Sequence, residues 1–389
     1  MSEWKKVKLG ELYEVHNGLS KGRQFFGTGF PFLTFSNVFN NWFLPEQLES
    51  LVQTTDKERE ACSIKAGDVF ITRTSETMDE LGMSSVALKD YPNATYNGFT
   101  KRLRPKTDRV FPRYMGYYLR TPKFRGQFMA FSSMTIRASL ANNDLLNMEV
   151  ELPPMDIQKN IATILSRYDS LIENYQKQRK RLEEAAQRLY KEWFIDLHFP
   201  GHENTNIIDG VPEGWEMKKV GEIAIISAGG DKPDVVTEEQ TTECQVPIYS
   251  NGTTKEGLYG YTNKSSNTAG SITVSARGSI GFACLRMHDY FSIVRLISIK
   301  PQNNVDLMYL FQFTKVHTFM SNGAAQQQLT VPMVKAIDVV YPAESLLEAF
   351  ENVVLPLYKK VQSLQSQLRL LTEARDRLLP KLMSGEITV

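Results

Sequence analysis

Apolar residues recur at every seventh position along two long stretches of the chain, 157–194 and 350–378. A sustained seven-residue repeat predicts long helices that pair as a coiled coil rather than ordinary amphipathic helices. The two stretches can pack on each other within one chain, although heptad repeats also drive homodimers. The seam positions are Ile161, Tyr168, Tyr175, Leu182, Leu189, Phe350, Leu357, Leu364, Leu371 and Leu378.

One proline, Pro356, lies within the second repeat, and another, Pro380, follows it directly. Proline has no amide hydrogen to donate, and its ring clashes with the carbonyl group one turn earlier. Pro356 is therefore expected to kink or restart the second helix. Pro380 is expected to end it earlier than the corresponding position in the first helix.

The two halves of the chain are related by a tandem duplication. The opening Trp4…Gly10-Glu11 recurs 211 residues later as Trp215…Gly221-Glu222, and the seam positions recur at an offset of 189. Pseudo-two-fold symmetry would pack the two helices antiparallel. The duplication therefore predicts one globular domain at each end of a helical rod.

Both globular parts contain short strand-like runs separated by Gly, Pro and Asn-Gly turns, as in residues 68–72 and 272–275. Short helices are predicted at 112–119 and 305–313, so the fold class is α+β with β-rich cores. The predicted division is a first globular domain at 1–152, a long helix at 153–197, a linker at 198–214, a second globular domain at 215–341, and a second long helix with a C-terminal tail at 342–389.

Composition narrows the protein class only slightly. The 389 residues carry a formal net charge of +1, so any DNA-binding face requires locally segregated charge. The three cysteines have no metal-binding spacing and indicate a reducing compartment. Without a signal peptide or an apolar run of membrane-spanning length, the chain is expected to be soluble and cytoplasmic.

Motifs for catalysis are missing from the sequence. There is no phosphate-binding GxxxxGK[ST] loop and no Asp-Pro-Pro-Tyr-like tetrad of an adenine methyltransferase. The glycine-rich segment 26–29 opens no helix, so a turn between strands is favoured over a cofactor loop. His198 and His202 have helical metal-binding spacing, but Pro200 and Gly201 lie between them, so no metal site is expected.

Several motifs together resemble the DNA specificity subunit of type I restriction–modification systems. They are the paired Trp…Gly-Glu openings, Leu152-Pro153-Pro154 before the first helix, Glu192-Trp193-Phe194 at its end, and Pro212-Glu213-Gly214-Trp215 at the start of the second half. The resemblance covers essentially the whole chain. The second copy departs from the pattern at 343–346, where Pro-Pro and Gln are missing.

The resemblance implies a non-catalytic protein with two target recognition domains, each reading one half of a bipartite, asymmetric site in double-stranded DNA. The helices would fix the spacer and dock two methyltransferase subunits, which restriction subunits would join. No cofactor is expected in this chain, while S-adenosylmethionine, ATP and Mg would belong to the partner subunits. The alternative from another class is a structural adapter that binds proteins or glycans through its end domains.

Polar residues in loops beside the strands are the candidates for DNA contact, because Arg, Lys, Asn and Gln read base edges and Ser, Thr and Lys bind phosphates. Solvated surface charge or structural ion pairs would explain many of them equally well. Arg73 and Arg277 follow comparable strands and are the best pair for a shared role. The candidates are Lys21, Arg23, Thr72, Arg73, Ser75, Lys101, Arg104, Arg137, Lys232, Asn251, Lys264, Arg277, Gln326 and Gln327.

Overall fold

Each half of the chain forms an α+β core in the computed structural model, which describes residues 4–75, 81–131, 138–319 and 328–389. The chain divides into two compact units. Unit 1 contains Met1–Asn174 and Leu368–Val389, and unit 2 contains Tyr175–Gln367. Each unit therefore includes one globular part together with segments of both long helices.

The strands are short and the helices vary widely in length. The strands are β1 Lys5–Lys8, β2 Tyr13–Asn17, β3 Phe26–Leu33, β4 Leu51–Val52, β5 Val69–Thr72, β6 Thr74–Ser75, β7 Ser84–Val86, β8 Thr95–Tyr96, β9 Thr100–Pro105, β10 Ala138–Ser139, β11 Glu149–Leu152, β12 Ile207–Ile208, β13 Val211–Pro212, β14 Glu216–Lys219, β15 Ala224–Ala228, β16 Val246–Tyr249, β17 Leu258–Thr262, β18 Ser271–Val274, β19 Ala283–Arg286, β20 Phe291–Ser292, β21 Ile297–Pro301 and β22 Asp338–Tyr341. The α-helices are α1 Leu9–Leu12, α2 Phe35–Asn40, α3 Asp56–Ala61, α4 Pro112–Tyr118, α5 Pro122–Phe131, α6 Asn142–Asn147, α7 Met155–Tyr190, α8 Val220–Ile223, α9 Leu307–Val316, α10 Val331–Lys335 and α11 Glu344–Met383.

The two units repeat one sheet topology. Unit 1 has a four-stranded sheet of order β2-β9-β5-β7, and unit 2 has the matching order β15-β21-β18-β19, antiparallel throughout. The three-stranded sheets β4-β3-β8 and β17-β16-β20 also match, and each combines one antiparallel with one parallel pair. The pairs β1-β11 and β14-β22 complete the correspondence. The duplication predicted from the sequence is therefore a duplication of structure.

The central strands are buried on both faces. Every residue of β5 and of β18 is buried, including the polar Thr72 in β5 and Ser271 and Thr273 in β18. In unit 1 the core joins Val69 and Tyr114 to Ile161 and Leu382 of the long helices. In unit 2 the long helices contribute residues such as Phe350 to the core in the same way.

The seam residues of the long helices face the interior. All ten are buried or partly buried, and Ile161, Phe350 and Leu364 are buried completely or nearly so. In unit 1 the first half of α7 meets the end of α11, where Asp169 and Arg375 form an ion pair at 2.9 Å. In unit 2 the first turns of α11 pack on the residues that follow α7, with the Phe350 and Phe194 ring centroids 5.0 Å apart. The helices are thus paired antiparallel within each unit.

Two local predictions were wrong, at Pro380 and at residues 26–29. Helix α11 continues past Pro380 to Met383. It does not restart at Pro356, and the kink expected there stays a prediction. Residues near each proline are buried, such as Val354 near Pro356 and Leu382 near Pro380. This packing keeps the helix intact although each proline lacks a backbone hydrogen bond. Residues 26–29 form the irregular start of β3 rather than a turn between strands, with positive φ at Gly27 and Gly29 and a register shift between Phe26 and Phe30.

Candidate nucleic-acid interface

Three segments of unit 1 meet where the central strand β5 ends. The Arg73 amide donates a hydrogen bond to the Phe99 carbonyl oxygen at 3.0 Å, and the Leu140 amide donates to the Arg73 carbonyl oxygen at 3.0 Å. The Gly98 amide donates to the Leu19 carbonyl oxygen at 2.8 Å. We call residues 18–23, 72–73 and 97–101 the first strand-end cluster. It contains five of the residues predicted to contact DNA.

Unit 2 brings the corresponding segments together at the end of β18. The Val294 amide donates to the Gly230 carbonyl oxygen at 2.9 Å, and the Leu329 amide donates to the Ala276 carbonyl oxygen at 2.9 Å. The Asn251 side chain joins two of these segments, because its Nδ2 donates to the Val294 carbonyl oxygen at 2.6 Å and its Oδ1 accepts from the Ala276 amide at 2.7 Å. We call residues 229–232, 275–277 and 293–295, with Asn251, the second strand-end cluster.

The matching hydrogen bonds fix which residues of the two clusters correspond. Leu140 donates to Arg73 and Leu329 donates to Ala276, so the counterpart of Arg73 is Ala276. The predicted pairing of Arg73 with Arg277 is therefore wrong by one residue. The two strands are equivalent, as predicted, but the register after the strand could not be read from residue type.

Four of the predicted cations in the described residues are exposed, namely Arg23, Lys232, Lys264 and Arg277. Arg23 is exposed, and Lys21 is half-buried in an ion pair with Glu58 at 2.8 Å. In unit 2 the exposed cations have polar or aromatic neighbours that orient them. Arg277 donates to the Gln328 Oε1 at 2.8 Å, Lys232 lies over the Tyr259 ring and bonds its hydroxyl, and Lys264 is 3.6 Å from Asp234.

Four predicted contacts hold the fold together instead. Thr72 is fully buried, and its hydroxyl accepts a hydrogen bond from the Met83 amide. The Arg104 guanidinium binds both carboxylate oxygens of the fully buried Asp68, at 2.8 and 2.6 Å. Asn251 uses both ends of its amide on backbone groups. These contacts engage all three side chains within the fold.

Lys101 is the fourth of these buried groups. Its side chain is only 4% exposed, and its ammonium donates to the Asn17 Oδ1 at 3.3 Å and to Asn142. Burial lowers the pKa of the Lys101 ammonium, and the nearby positive charge of Arg73 lowers it further. Arg73 is half-buried, and its Nε has no hydrogen-bond partner in the described part of the chain. The Arg73 Nε is itself buried, so any contact of Arg73 with DNA would use the outer part of its half-buried guanidinium.

Four predictions lie wholly or partly outside the described residues. Ser75 pairs through its backbone with Ala138, and its side chain is not described. Arg137, Gln326 and Gln327 all lie in the segments that are not described. These four stay predictions.

Two residues of the clusters were missed by the sequence analysis. Phe99 follows an Asn-Gly dipeptide, which is a turn signal. This signal could have predicted an exposed aromatic residue at position 99. Arg295 is exposed and occupies the counterpart of Phe99, because Gly98 and Val294 make the same hydrogen bond. Nothing in the local sequence distinguishes Arg295 from ordinary surface charge.

Other kinds of site find no support among the described residues. No group of three or more His, Cys, Asp and Glu side chains is placed to hold a metal ion there. The His202 ring nitrogen is bonded to the Phe199 carbonyl oxygen at 2.8 Å. Cys62, Cys244 and Cys284 are all buried with free thiols. Within the same residues, no helix is both long enough and apolar enough to span a bilayer.

Comparison with known proteins decides the family. The family described as the type I restriction modification DNA specificity domain matches residues 1–184 and 212–345. The chain belongs to this family. The specificity subunit of the type I restriction enzyme MjaIX of Methanocaldococcus jannaschii is 25% identical, with all of this chain and 94% of that protein covered. The HindI specificity subunit of Haemophilus influenzae is 21% identical over the full length of both chains.

A solved structure agrees with this assignment at the level of the fold. The crystal structure of the type I restriction–modification S subunit from M. genitalium has a TM-score of 0.65 with this chain at 16% identity, covering 98% of this chain and 96% of that one. The two matched segments of the family profile each contain one strand-end cluster. Specificity subunits are the DNA-recognition components of type I systems and are not catalytic.

Proposed function

We propose that this chain is the DNA-specificity subunit of a cytoplasmic type I restriction–modification complex and that each strand-end cluster reads one half of a bipartite, asymmetric target. The proposal rests on one observation. In both units, polar loops meet at the end of the equivalent central strand. Lys21 and Lys232 occupy equivalent places in the two clusters, because Leu19 and Gly230 accept equivalent hydrogen bonds. Cations that flank a rigid loop are suited to phosphate contacts, which fix register on a duplex.

The long helices supply the second part of the proposal. They set the non-specific spacer between the two half-sites and dock two methyltransferase subunits, with restriction subunits completing the complex. Antiparallel pairing supports this role, because within each unit the ion pairs and apolar contacts fix one helix against the other. The chain itself holds no cofactor, and S-adenosylmethionine, ATP and Mg belong to the partners.

Methylation mapping tests the function directly. The full chain is co-expressed with its methyltransferase partner, and methylated adenines are mapped on host DNA. A bipartite motif that disappears when this chain is omitted supports the proposal. A complex that forms but methylates nothing, or methylation that does not depend on the chain, contradicts it and favours an adapter that binds proteins or glycans.

Single substitutions test the two units separately. Arg23→Ala changes the first cluster and Arg277→Ala the second, and both side chains are exposed. If each unit reads its own half-site, each variant should relax or weaken recognition in one half of the motif and leave the other half intact. Equal effects of both variants on both halves would contradict independent reading. Lys65→Ala, an exposed cation outside the clusters, serves as the control.

A further inference from the structure

The two clusters place different side chains at one equivalent, outward-facing position. Phe99 in unit 1 follows Gly98, whose amide donates to the Leu19 carbonyl oxygen. Arg295 in unit 2 follows Val294, whose amide donates to the Gly230 carbonyl oxygen. Phe99 is 58% exposed, so its side chain is open to solvent at this position. The Arg295 side chain is exposed, and it makes no hydrogen bond or ion pair with another described residue.

The Phe99 backbone is held rigidly although its ring is in water. Its amide donates to the Asn97 Oδ1 at 2.6 Å, and its carbonyl oxygen accepts from the Arg73 amide at 3.0 Å. The turn is therefore fixed from both sides before any ligand arrives. An exposed aromatic ring on a fixed backbone has only two side-chain torsions to order on binding, which suits it to stack on a base or to wedge between base pairs.

The Arg295 loop is strained as well as exposed. Val294 and Arg295 have φ angles of 53° and 60°, and a left-handed conformation is an outlier for a β-branched residue such as valine. Hydrogen bonds keep the strained conformation in place, since Asn251 donates to the Val294 carbonyl oxygen and the Arg295 amide donates to the Gly229 carbonyl oxygen at 2.8 Å. Strain that the surrounding structure maintains is typical of binding sites.

Charge near both positions favours a nucleic acid over an apolar protein surface. Lys21 and Arg73 lie in the cluster of Phe99, and Lys232 and Arg277 lie in the cluster of Arg295. An apolar or planar group surrounded by cations matches a duplex, in which base edges lie between two lines of phosphates. We infer that Phe99 and Arg295 are equivalent base-contacting residues, with the Phe99 ring stacking on or wedging beside a base and the Arg295 guanidinium hydrogen-bonding to a base edge. This inference rests on the proposed function.

The experiment uses the assembled complex and two DNA probes. One probe is a duplex with the motif found by methylation mapping, and the other has the same composition in scrambled order. Phe99→Ala and Arg295→Ala should each weaken binding of the motif duplex by roughly tenfold or more, the loss expected for one base contact, while binding of the scrambled duplex stays nearly unchanged. Arg295→Lys should not restore binding, because an ammonium group lacks the bidentate fork of the guanidinium.

Controls separate base contact from structural damage. Leu88→Ala in unit 1 and Ile225→Ala in unit 2 remove exposed apolar side chains outside the clusters and should bind the motif duplex like the parent protein. Binding by Phe99→Ala and Arg295→Ala that equals that of the controls would overturn the inference. So would a lowered melting temperature that accounts for the loss, or a loss of complex assembly with unchanged DNA discrimination.

The inference and the proposed function fail in different ways. If the parent complex methylates no bipartite motif, the proposed function is wrong and the probe cannot be built. If the motif exists and depends on this chain, but both variants keep their full discrimination, only the assignment of Phe99 and Arg295 is wrong. If the variants lose discrimination, duplexes with single base-pair substitutions show which base pair each residue reads, and each contact should affect positions in one half-site alone.

Discussion

Truncation of Phe350 to alanine tests the packing of the two long helices most directly. The Phe350 side chain is fully buried in unit 2, and its ring centroid lies 5.0 Å from Phe194, 5.8 Å from Trp193 and 6.3 Å from Tyr190. Truncation of a buried phenylalanine costs about 3–5 kcal/mol in lost burial and cavity formation. Alanine forms helices better than phenylalanine, but that gain is only about 0.5 kcal/mol, so the packing loss decides the outcome.

Urea unfolding of the full chain measures this loss. Trp193 and Trp215 lie in unit 2, whereas Trp4 and Trp42 lie in unit 1. The measurement therefore uses a Trp4→Phe, Trp42→Phe background, in which tryptophan fluorescence reports on the unit that contains Phe350. Phe350→Leu keeps most of the apolar volume and should cost roughly 1 kcal/mol. The matched control is Val353→Ala on the same helix, because Val353 is 49% exposed and its truncation should change stability by less than about 0.5 kcal/mol. A Phe350→Ala loss as small as that of the control would refute the seam assignment in this unit.

Three further predictions concern buried charge and the seam of unit 1. Burial, the main cause, raises the pKa of the Glu351 carboxyl to about 7, so the folded state keeps a proton that the unfolded chain releases above its ordinary pKa of 4.5. The free energy of unfolding should therefore fall as pH rises between those values. In thermal unfolding, Glu351→Gln should show a flatter dependence of melting temperature on pH and a higher stability at high pH. An unchanged pH dependence would contradict this prediction. Arg104→Met should destabilise unit 1 by about 3 kcal/mol in urea, because it leaves the buried Asp68 carboxylate without its cation, whereas a DNA-binding defect without lost stability would restore Arg104 to the interface. Leu371→Asp should unfold the helix pair at lower temperature than the neighbouring exposed control Leu370→Asp, and equal melting temperatures would remove Leu371 from the seam.

Periodicity allowed the helices to be predicted because a seven-residue repeat is a local property of the sequence. A local argument failed at Pro380, where the helix continues because packing of the surrounding residues outweighs one lost hydrogen bond. The duplication could be recognised from its ends, yet the sequences inside the two domains match poorly. The matching strand orders became visible only in the structure, because sheet topology depends on backbone pairing rather than on residue identity.

The candidate site could be predicted as a set of loops but not residue by residue. Arg23 and Arg104 were both predicted as polar loop residues beside strands. In the structure Arg23 is exposed, whereas Arg104 forms an ion pair with Asp68. The difference depends on the pairing of β5 with β9, which brings residues 36 positions apart into contact. Phe99 was missed for the opposite reason, since an aromatic residue next to a strand is most often part of a core.

Comparison of the two clusters separates residues that position the DNA through its phosphates from residues that read its base sequence. Lysine occupies the equivalent places Lys21 and Lys232, whereas Arg73 corresponds to Ala276 and Phe99 to Arg295. Phosphates are the same at every step of a duplex, so contacts to them can stay alike in both units, while contacts to bases must differ if the half-sites differ. Lys232→Ala should therefore weaken binding of motif and scrambled duplexes alike and reduce the slope of log affinity against log salt by about one. Arg295→Ala should instead reduce discrimination between the two duplexes. If Lys232→Ala lowered only the affinity for the motif duplex, this division of roles, and with it the structural argument for an asymmetric target, would be wrong.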